Sequence, residues 1–435
     1  MRLHSILWFS LAIIRPDFLR AGVQTSGATT DLFRDRSMLK GLLRLAPYAA
    51  ALFTLISAAH AEDNRLVFTG TLGKMPIVFE VDTSDPEQVT GRYFYEKFHR
   101  DLELNGTLKN DVLVLTEGSN RMEPDKPLPT LKLQQIDGGW KGEWQNPKGK
   151  KLPVMITDTP LPEVPANALP YIAKLPKSEP YEYLRLQGLK LKPGKKQDFM
   201  GYTLQWWEEP DTKMSMFSIE SGLPKEDLQR VNQQLLGRLW DEAISYYGCQ
   251  LRGRGYAEFL QDVTPTFISP SVISLNISTS YDCGGAHPDF GDSPLNIDVK
   301  TGHPLSLEDV LWVGEGQPIL HADRYRGGDQ PLTEAEDAAR STYQREVFKP
   351  WLIKQLTVLY PDEMKKPAES DEDSCDFTNE DNWSYSNWHF TEKGLYLGAY
   401  FARIERDCDS PDWSVLPYSL VKQHPGAVKL QLPQG

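Results

Sequence analysis

The chain of 435 residues carries 60 acidic against 47 basic side chains, a formal charge of −13, and 40% of its residues are hydrophobic, with 11 Trp, 18 Tyr and 17 Phe. That acidity makes nucleic acid a poor partner, and the apolar and aromatic content excludes a disordered chain. The length suits two packed domains of ordinary size.

The first elements in chain order decide the compartment. Lys40 and Arg44 form a positive n-region, residues 46–57 a mostly apolar stretch, and Ala59, His60 and Ala61 a small-x-small cleavage site. This is the pattern of a signal peptide over 38–61, so the mature chain is expected to begin at Glu62 in the periplasm or outside the cell. Residues 1–37 stand before a Met at position 38 and read as an upstream extension. No Cys follows the cleavage site to carry a lipid anchor, and no later stretch approaches the roughly 18 apolar residues of a membrane helix. Cleavage removes seven of the 47 Lys and Arg and three of the 60 Asp and Glu, which leaves 40 against 57 and a charge of −17. Such a chain attracts cationic proteins at long range, although acidity also serves solubility.

From 62 to 157, short alternating runs follow one another with turn residues between them, at 66–69, 76–81, 91–95, 102–105, 112–115, 131–134, 140–144 and 151–156. Regular short strands without a helical interruption predict an antiparallel meander, a curved sheet or a small barrel. Tyr93, Phe94 and Tyr95 suit either a ligand cavity or a packed core, and core is the commoner use of strand aromatics. Residues 158–180 contain six prolines in mixed surroundings and read as a linker.

Beyond the linker, 181–435 has an α+β pattern, with an antiparallel sheet and packed helices. Pro224 opens a helix in which Leu228, Val231, Leu235, Leu239, Ala243 and Tyr246 recur at three- and four-residue spacing, and Gly248 suits its end. Ile273, Leu275, Ile277, Thr279 and Tyr281 alternate with polar residues as in a half-buried strand. Asp282, Cys283, Gly284, Gly285, Ala286, His287 and Pro288 follow, and the glycine pair predicts a tight loop at the strand end. Leu295, Ile297 and Val299 make a second strand, Lys300, Thr301, Gly302 and His303 a turn, and Ser306 with Asp309 has the spacing of a capping box. A second helical region runs from Thr333, boxed by Glu336, towards Tyr360, with Pro350 dividing or kinking it. The last strands are expected at 388–390 and 395–403, and Val415 to Tyr418 form an edge segment.

This order of strand, Gly-Gly-Ala-His, strand, Lys-Thr-Gly turn and short helix, with the Leu-Pro-Tyr ending at 416–418, resembles the extracellular domain of unknown function of RsiV-type anti-sigma factors and PdaC-type peptidoglycan deacetylases. The resemblance covers the last third to half of the chain. In RsiV-type proteins the module binds lysozyme, and in PdaC-type proteins it accompanies a separate catalytic domain. The resemblance therefore implies recognition at the envelope, whereas no cytoplasmic signalling portion or deacetylase domain is evident here to carry the other activities.

Cys249, Cys283, Cys375 and Cys408 make an even count in an exported protein and predict two disulfides. Three pairings are open; Cys249 with Cys283 and Cys375 with Cys408 is preferred because each pair brackets a contiguous unit. The spacings fit no zinc site, so no metal is expected there. In the acidic segment 369–381, Asp371 and Asp373 alternate, but Cys375, Asp376 and Asn382 stand where a calcium loop needs a ligand, a Gly and a Glu. Gly291, Asp292 and Ser293 match an esterase block without its companion, and Ser419 to Lys422 a Ser-x-x-Lys spacing without partner motifs.

No catalytic residue and no cofactor is assigned. The expected ligand-binding residues are Gly284, Gly285, Ala286, His287, Pro288, Asp289 and Phe290. The expected function is a non-catalytic binding module for lysozyme, another cationic protein or a cell-wall component. Its competitor is an envelope hydrolase in which Asp289 orients His287 as a base.

Overall fold

A computed structural model describes residues 65–119, 125–158, 160–254, 256–319, 333–368, 374–384 and 387–434. The upstream extension, the signal peptide and the cleavage site lie outside these residues.

Strands β1 (Arg65–Leu72), β2 (Met75–Asp82), β3 (Val89–Tyr95), β4 (Asp101–Lys109), β5 (Val112–Glu117), β6 (Thr130–Ile136), β7 (Gly139–Gln145) and β8 (Lys151–Thr157) form a closed antiparallel barrel in sequence order. The small-barrel form of the expected meander is the one adopted. Closure comes from β1 on β8, with Thr69 opposite Thr157 and Leu72 opposite Val154. Glycines permit close approach on both edges of β8. A Cβ on Gly70 would lie 2.0 Å from the Met155 carbonyl oxygen, and one on Gly139 would lie 2.2 Å from that of Ile156. Alternation sends Phe79, Val81, Tyr93, Leu113, Leu133 and Trp140 into a filled interior. Tyr93 therefore belongs to the core, its hydroxyl donating to Glu117 at 2.5 Å, while Phe94 turns outward against Tyr181. Burial followed by the Glu117 charge pushes the Tyr93 hydroxyl far above the usual tyrosine range.

The segment expected to be a linker is more ordered than its prolines suggested. Leu161 and Leu169 pack against the larger core, and helices α1 (Pro170–Ser178) and α2 (Pro180–Gly188) each begin with Pro in the first turn, where no intrahelical N–H is lost. Arg185 on α2 is buried against the barrel. It pairs with both Asp101 oxygens at 2.8 Å and with Glu182 at 2.7 Å, and donates to the His99 carbonyl. Tyr181 donates to Asp101 at 2.6 Å, and Arg92 bridges Glu80 at 2.7 Å and Glu182 at 3.0 Å. This network joins barrel to helix.

The remainder is α+β. Strands β9 (Lys192–Phe199), β10 (Tyr202–Glu208) and β11 (Ser215–Ser221) form one antiparallel sheet, and α3 (Lys225–Arg252) packs on it through Val231, Leu235, Leu239 and Ala243. Helix α3 passes Gly248 and ends four residues later, where the Gly253 N–H caps the Cys249 carbonyl. A single Gly inside a long packed helix costs only about 1 kcal/mol against Ala, which is too little to stop it. Strand β12 (Glu258–Ile268) pairs with β13 (Val272–Asp282), whose other edge takes β14 (Asp289–Asp292) on its second half and β15 (Leu295–Asp298) on its first.

Helix α4 (Leu307–Val310) begins with the expected box of Ser306 and Asp309, and α5 (Glu334–Tyr343) with that of Thr333 and Glu336. A π-helical turn, Gln344–Phe348, leads into α6 (Lys349–Leu359), which places Pro350 in the first turn of a new helix. Strands β16 (Trp388–Phe390), β17 (Gly394–Leu397) and β18 (Val415–Pro417) make the last sheet, followed by α7 (Tyr418–Val421). The strand expected at 395–403 stops at Leu397. There Gly398 passes so close to Asn387 that a Cβ would meet its Oδ1 at 1.9 Å, and the Phe401 N–H is taken by Asp409 at 2.6 Å instead of by a neighbouring strand. Residues Arg403–Cys408 form tight 3-10 turns.

Candidate functional site

The Gly-Gly-Ala-His loop joins β13 to β14 and is held from two sides. On one side the Cys249–Cys283 disulfide ties its start to the last turn of α3. Gly284, at a φ of +77°, runs against that helix end, where a Cβ would lie 2.9 Å from the Arg252 carbonyl oxygen. No L side chain fits there. Its N–H donates to Asp282 Oδ1 at 3.0 Å, completing a tight turn.

On the other side, the segment before the second disulfide, Cys375–Cys408, grips the loop's far end. Arg406 pairs with Asp289, donates to the Phe290 carbonyl at 2.6 Å and pairs with Asp409 at 2.7 Å. Its guanidinium also lies over the rings of Phe290, at 4.3 Å, and Tyr400, at 5.0 Å. Arg403 reaches the Pro288 carbonyl at 3.4 Å. Both disulfides have the preferred pairing, and each secures one border of the same loop.

The seven residues expected to bind ligand fall into two groups. Gly284, Gly285, Ala286, His287 and Pro288 are exposed on the loop, whereas Asp289 is engaged by Arg406 and by the Phe290 N–H at 2.9 Å. The His287 Nδ1–H donates to the Pro288 carbonyl at 3.1 Å. The acid and the imidazole thus serve different partners, and the loop does not join them as a catalytic pair. Tyr281 comes within 3.5 Å of Asp289, and burial followed by that carboxylate's charge raises its hydroxyl pKa.

Beside the loop lies a cleft of about 530 Å³ bordered by Glu103 of the barrel, Leu251, Arg252 and Arg254 at the end of α3, Tyr281, and the loop from Cys283 to His287. Arg254 approaches Glu103 at 3.5 Å. The cleft's lining has no Ser or Thr hydroxyl, and its cysteine is in a disulfide. Phe290 is 49% exposed and Tyr400 48%, and with the Arg406 guanidinium over both rings they form an aromatic ridge; Ile404, two residues before Arg406, is 94% exposed.

Behind β14, Asp292 accepts from Ser278, from Asn276 at 3.0 Å, from Ser410 at 3.2 Å and from Asn387 at 3.4 Å. It is a structural hub, and neighbouring Ser293 accepts from Arg238 at 2.8 Å. His389 stacks on Tyr396 at 4.5 Å, and burial pushes its pKa down to about 4. Among the described residues, no group of three or more His, Cys, Asp or Glu is placed to hold a metal, and no helix is long and apolar enough to cross a membrane. Residues 369–373 of the acidic segment lie outside the described residues, and Cys375 within it is bonded.

Sequence reasoning missed Arg406, Tyr400 and Ile404. Their one visible signal is proximity to Cys408, because nothing in local periodicity brings residue 406 to residue 290.

No family model matches the sequence, and no curated protein matches it. Among solved structures, a member of the DUF3298 family from Bacteroides fragilis aligns over 55% of this chain and 94% of its own, with 12% identity and a TM-score of 0.29. The two disulfides are the usual mark of a protein that matures outside the reducing cytoplasm.

Proposed function

We propose that this is a periplasmic or secreted binding protein whose disulfide-bordered loop recognises a cationic protein of the lysozyme kind. The carrying observation is the exposed ridge of Phe290 and Tyr400 around Arg406, bordered by a disulfide on either side. Aromatic residues with arginine are the typical energetic centres of protein interfaces, and a pre-ordered ridge loses little conformational freedom on binding. The charge of −17 after removal of residues 1–61 supports attraction of a basic partner. At physiological salt the Debye length is about 8 Å, so charge steers the encounter and the ridge must supply selectivity.

A wall-associated ligand is the second reading, favoured by Arg252 and Arg254 at the mouth of the cleft, since guanidinium groups suit the carboxylates of wall peptides. The hydrolase reading has less support, because His287 and Asp289 serve separate partners and the cleft lining has no Ser, Thr or free Cys.

Calorimetry of the exported chain with lysozyme at physiological salt tests the proposal, with cytochrome c as an equally basic control. Selective heat with lysozyme, abolished in a folded His287→Ala, Phe290→Ala variant, is expected. Equal heats with the two proteins would remove it.

A further inference from the structure

Where β12, β13 and β14 run side by side, their sheet packs one face only. Val263, Leu275 and Ile277 turn into the core that includes α3, and alternation turns their neighbours the other way. On this open face the strand register sets side chains in rows. Leu260, Ser280 and Phe290 make one row. Asp262, Ser278 and Asp292 make the next, and on the opposite flank Glu258 stands across from Asp282. Leu260 is 67% exposed and Phe290 49%, and a shallow concavity of about 330 Å³ lies over the first two rows.

The apolar row therefore has carboxylates on both flanks, and no Lys, Arg or His stands in the three rows. The hydrogen bonds these carboxylates take come from neutral donors. Asp262 accepts from the Thr264 hydroxyl at 3.1 Å, Asp282 from the Gly284 N–H at 3.0 Å, and Asp292 from Asn276 at 3.0 Å and Ser410 at 3.2 Å. Such bonds hold a carboxylate in place without cancelling its charge. Arg406, over the Phe290 ring, is already paired with Asp289 and Asp409 and adds no uncompensated positive charge.

The spacing narrows the occupant. Leu260 and Phe290 are two strands apart, about 10 Å, which leaves a slot for one extended side chain over Ser280. Asp262 lies two residues along from Leu260, about 7 Å, within the length of a lysine or arginine. Such a side chain lays its aliphatic stem on apolar surface and carries its charge to the end. A metal ion is not served, because Asp262 and Asp292 are also two strands apart and calcium needs its oxygens at about 2.3–2.6 Å. A second copy of this chain would bring the same negative charge to the face. Resting on the binding role proposed above, we infer that this sheet face is where the cationic partner docks, with a partner lysine or arginine seated between Leu260 and Phe290 and its charge at Asp262.

The exported chain, followed by amide NMR at physiological salt, is titrated with acetylated hexaarginine amide and with the neutral hexacitrulline of the same shape. Shifts are expected in 258–264, 278–282 and 290–292 with hexaarginine alone. Asp262→Lys should weaken both hexaarginine and lysozyme binding about tenfold, and Leu260→Ser about fivefold. Asp137→Lys makes the same charge change on an exposed barrel turn and should have a much smaller effect. Asp262→Asn, which keeps the side chain's shape, should give a smaller loss and guards against misfolding of the Lys variant. Shifts spread evenly over the acidic surface, an equal response to hexacitrulline, or equal affinities in folded Asp262→Lys and Asp137→Lys would overturn the inference. Selective lysozyme binding that survives both Asp262→Lys and Leu260→Ser in full would also overturn it, while leaving the loop's role standing. Hexaarginine seated on this face without any lysozyme binding would remove lysozyme as the partner and support the docking face.

Discussion

The guanidinium of Arg406 lies 4.3 Å from the centre of the Phe290 ring while it also pairs with Asp289, the residue next to it. One side chain, two residues before a disulfide cysteine, therefore fixes both the backbone and the aromatic tip of a loop more than a hundred residues away.

Replacing that arginine should release the loop. Arg406→Leu leaves Asp289 and Asp409 without their cation and Phe290 without its cover, and should cost about 2 kcal/mol, less than a fully buried pair because Asp289 is partly open to water. Urea unfolding reads the stability loss. Hydrogen exchange should show faster exchange in 284–292 and little change in the barrel; equal protection in this segment would contradict the anchoring role.

Reduction should act on the α+β region first. The cysteines of the two disulfides are 34 and 33 residues apart, and the chain-entropy model gives each about 3 to 4 kcal/mol before native strain is subtracted. Non-reducing peptide mapping should recover Cys249 with Cys283 and Cys375 with Cys408. In reductant, thermal unfolding should divide, with the barrel, which contains no cysteine, as the more resistant part.

The barrel's attachment depends on Arg185. Arg185→Met keeps much of the volume but leaves Asp101 and Glu182 buried without this cation, a change that typically costs about 3 to 5 kcal/mol. Arg92, 3.0 Å from Glu182, offsets part of it, so about 3 kcal/mol is expected. Denaturation monitored by near-ultraviolet circular dichroism should then show barrel and remainder unfolding separately. A single unshifted transition would refute the role of this network.

His389 should make the fold acid-sensitive. Burial lowers its pKa from the usual 6.5 to about 4, so as pH falls below 6.5 the unfolded chain binds a proton that the folded one refuses. Stability from this group is fully present above pH 6.5, declines by roughly 2 kcal/mol towards pH 4.5, and levels off below the folded pKa. Asp292 nearby opposes the shift but does not cancel it. His389→Phe, which keeps a ring against Tyr396, should flatten this part of the pH profile of the urea midpoint.

Much of the architecture was legible without coordinates because it is local. Alternation marked the barrel strands, three- and four-residue spacing marked α3, capping boxes at Ser306 and Thr333 marked two helix starts, and the cysteine spacing favoured the pairing found. Strand β9, almost entirely polar, carried no such signal, since an edge strand with little apolar surface to bury has no period to read. The α1 helix was hidden by its prolines, of which Pro170 lies in the first turn, where a helix tolerates one, and Pro176 lies inside the helix.

By itself, the sequence determined that a Gly-Gly turn would end β13 and that cysteines would brace it, because backbone conformation and cross-linking depend on residue type and spacing. Only the tertiary structure decided what that turn faces. Arg406 reaches Phe290 and Arg185 reaches Asp101 because distant segments pack side by side. The chain's own periodicities report which face of an element is buried, not which distant residue lies across from it.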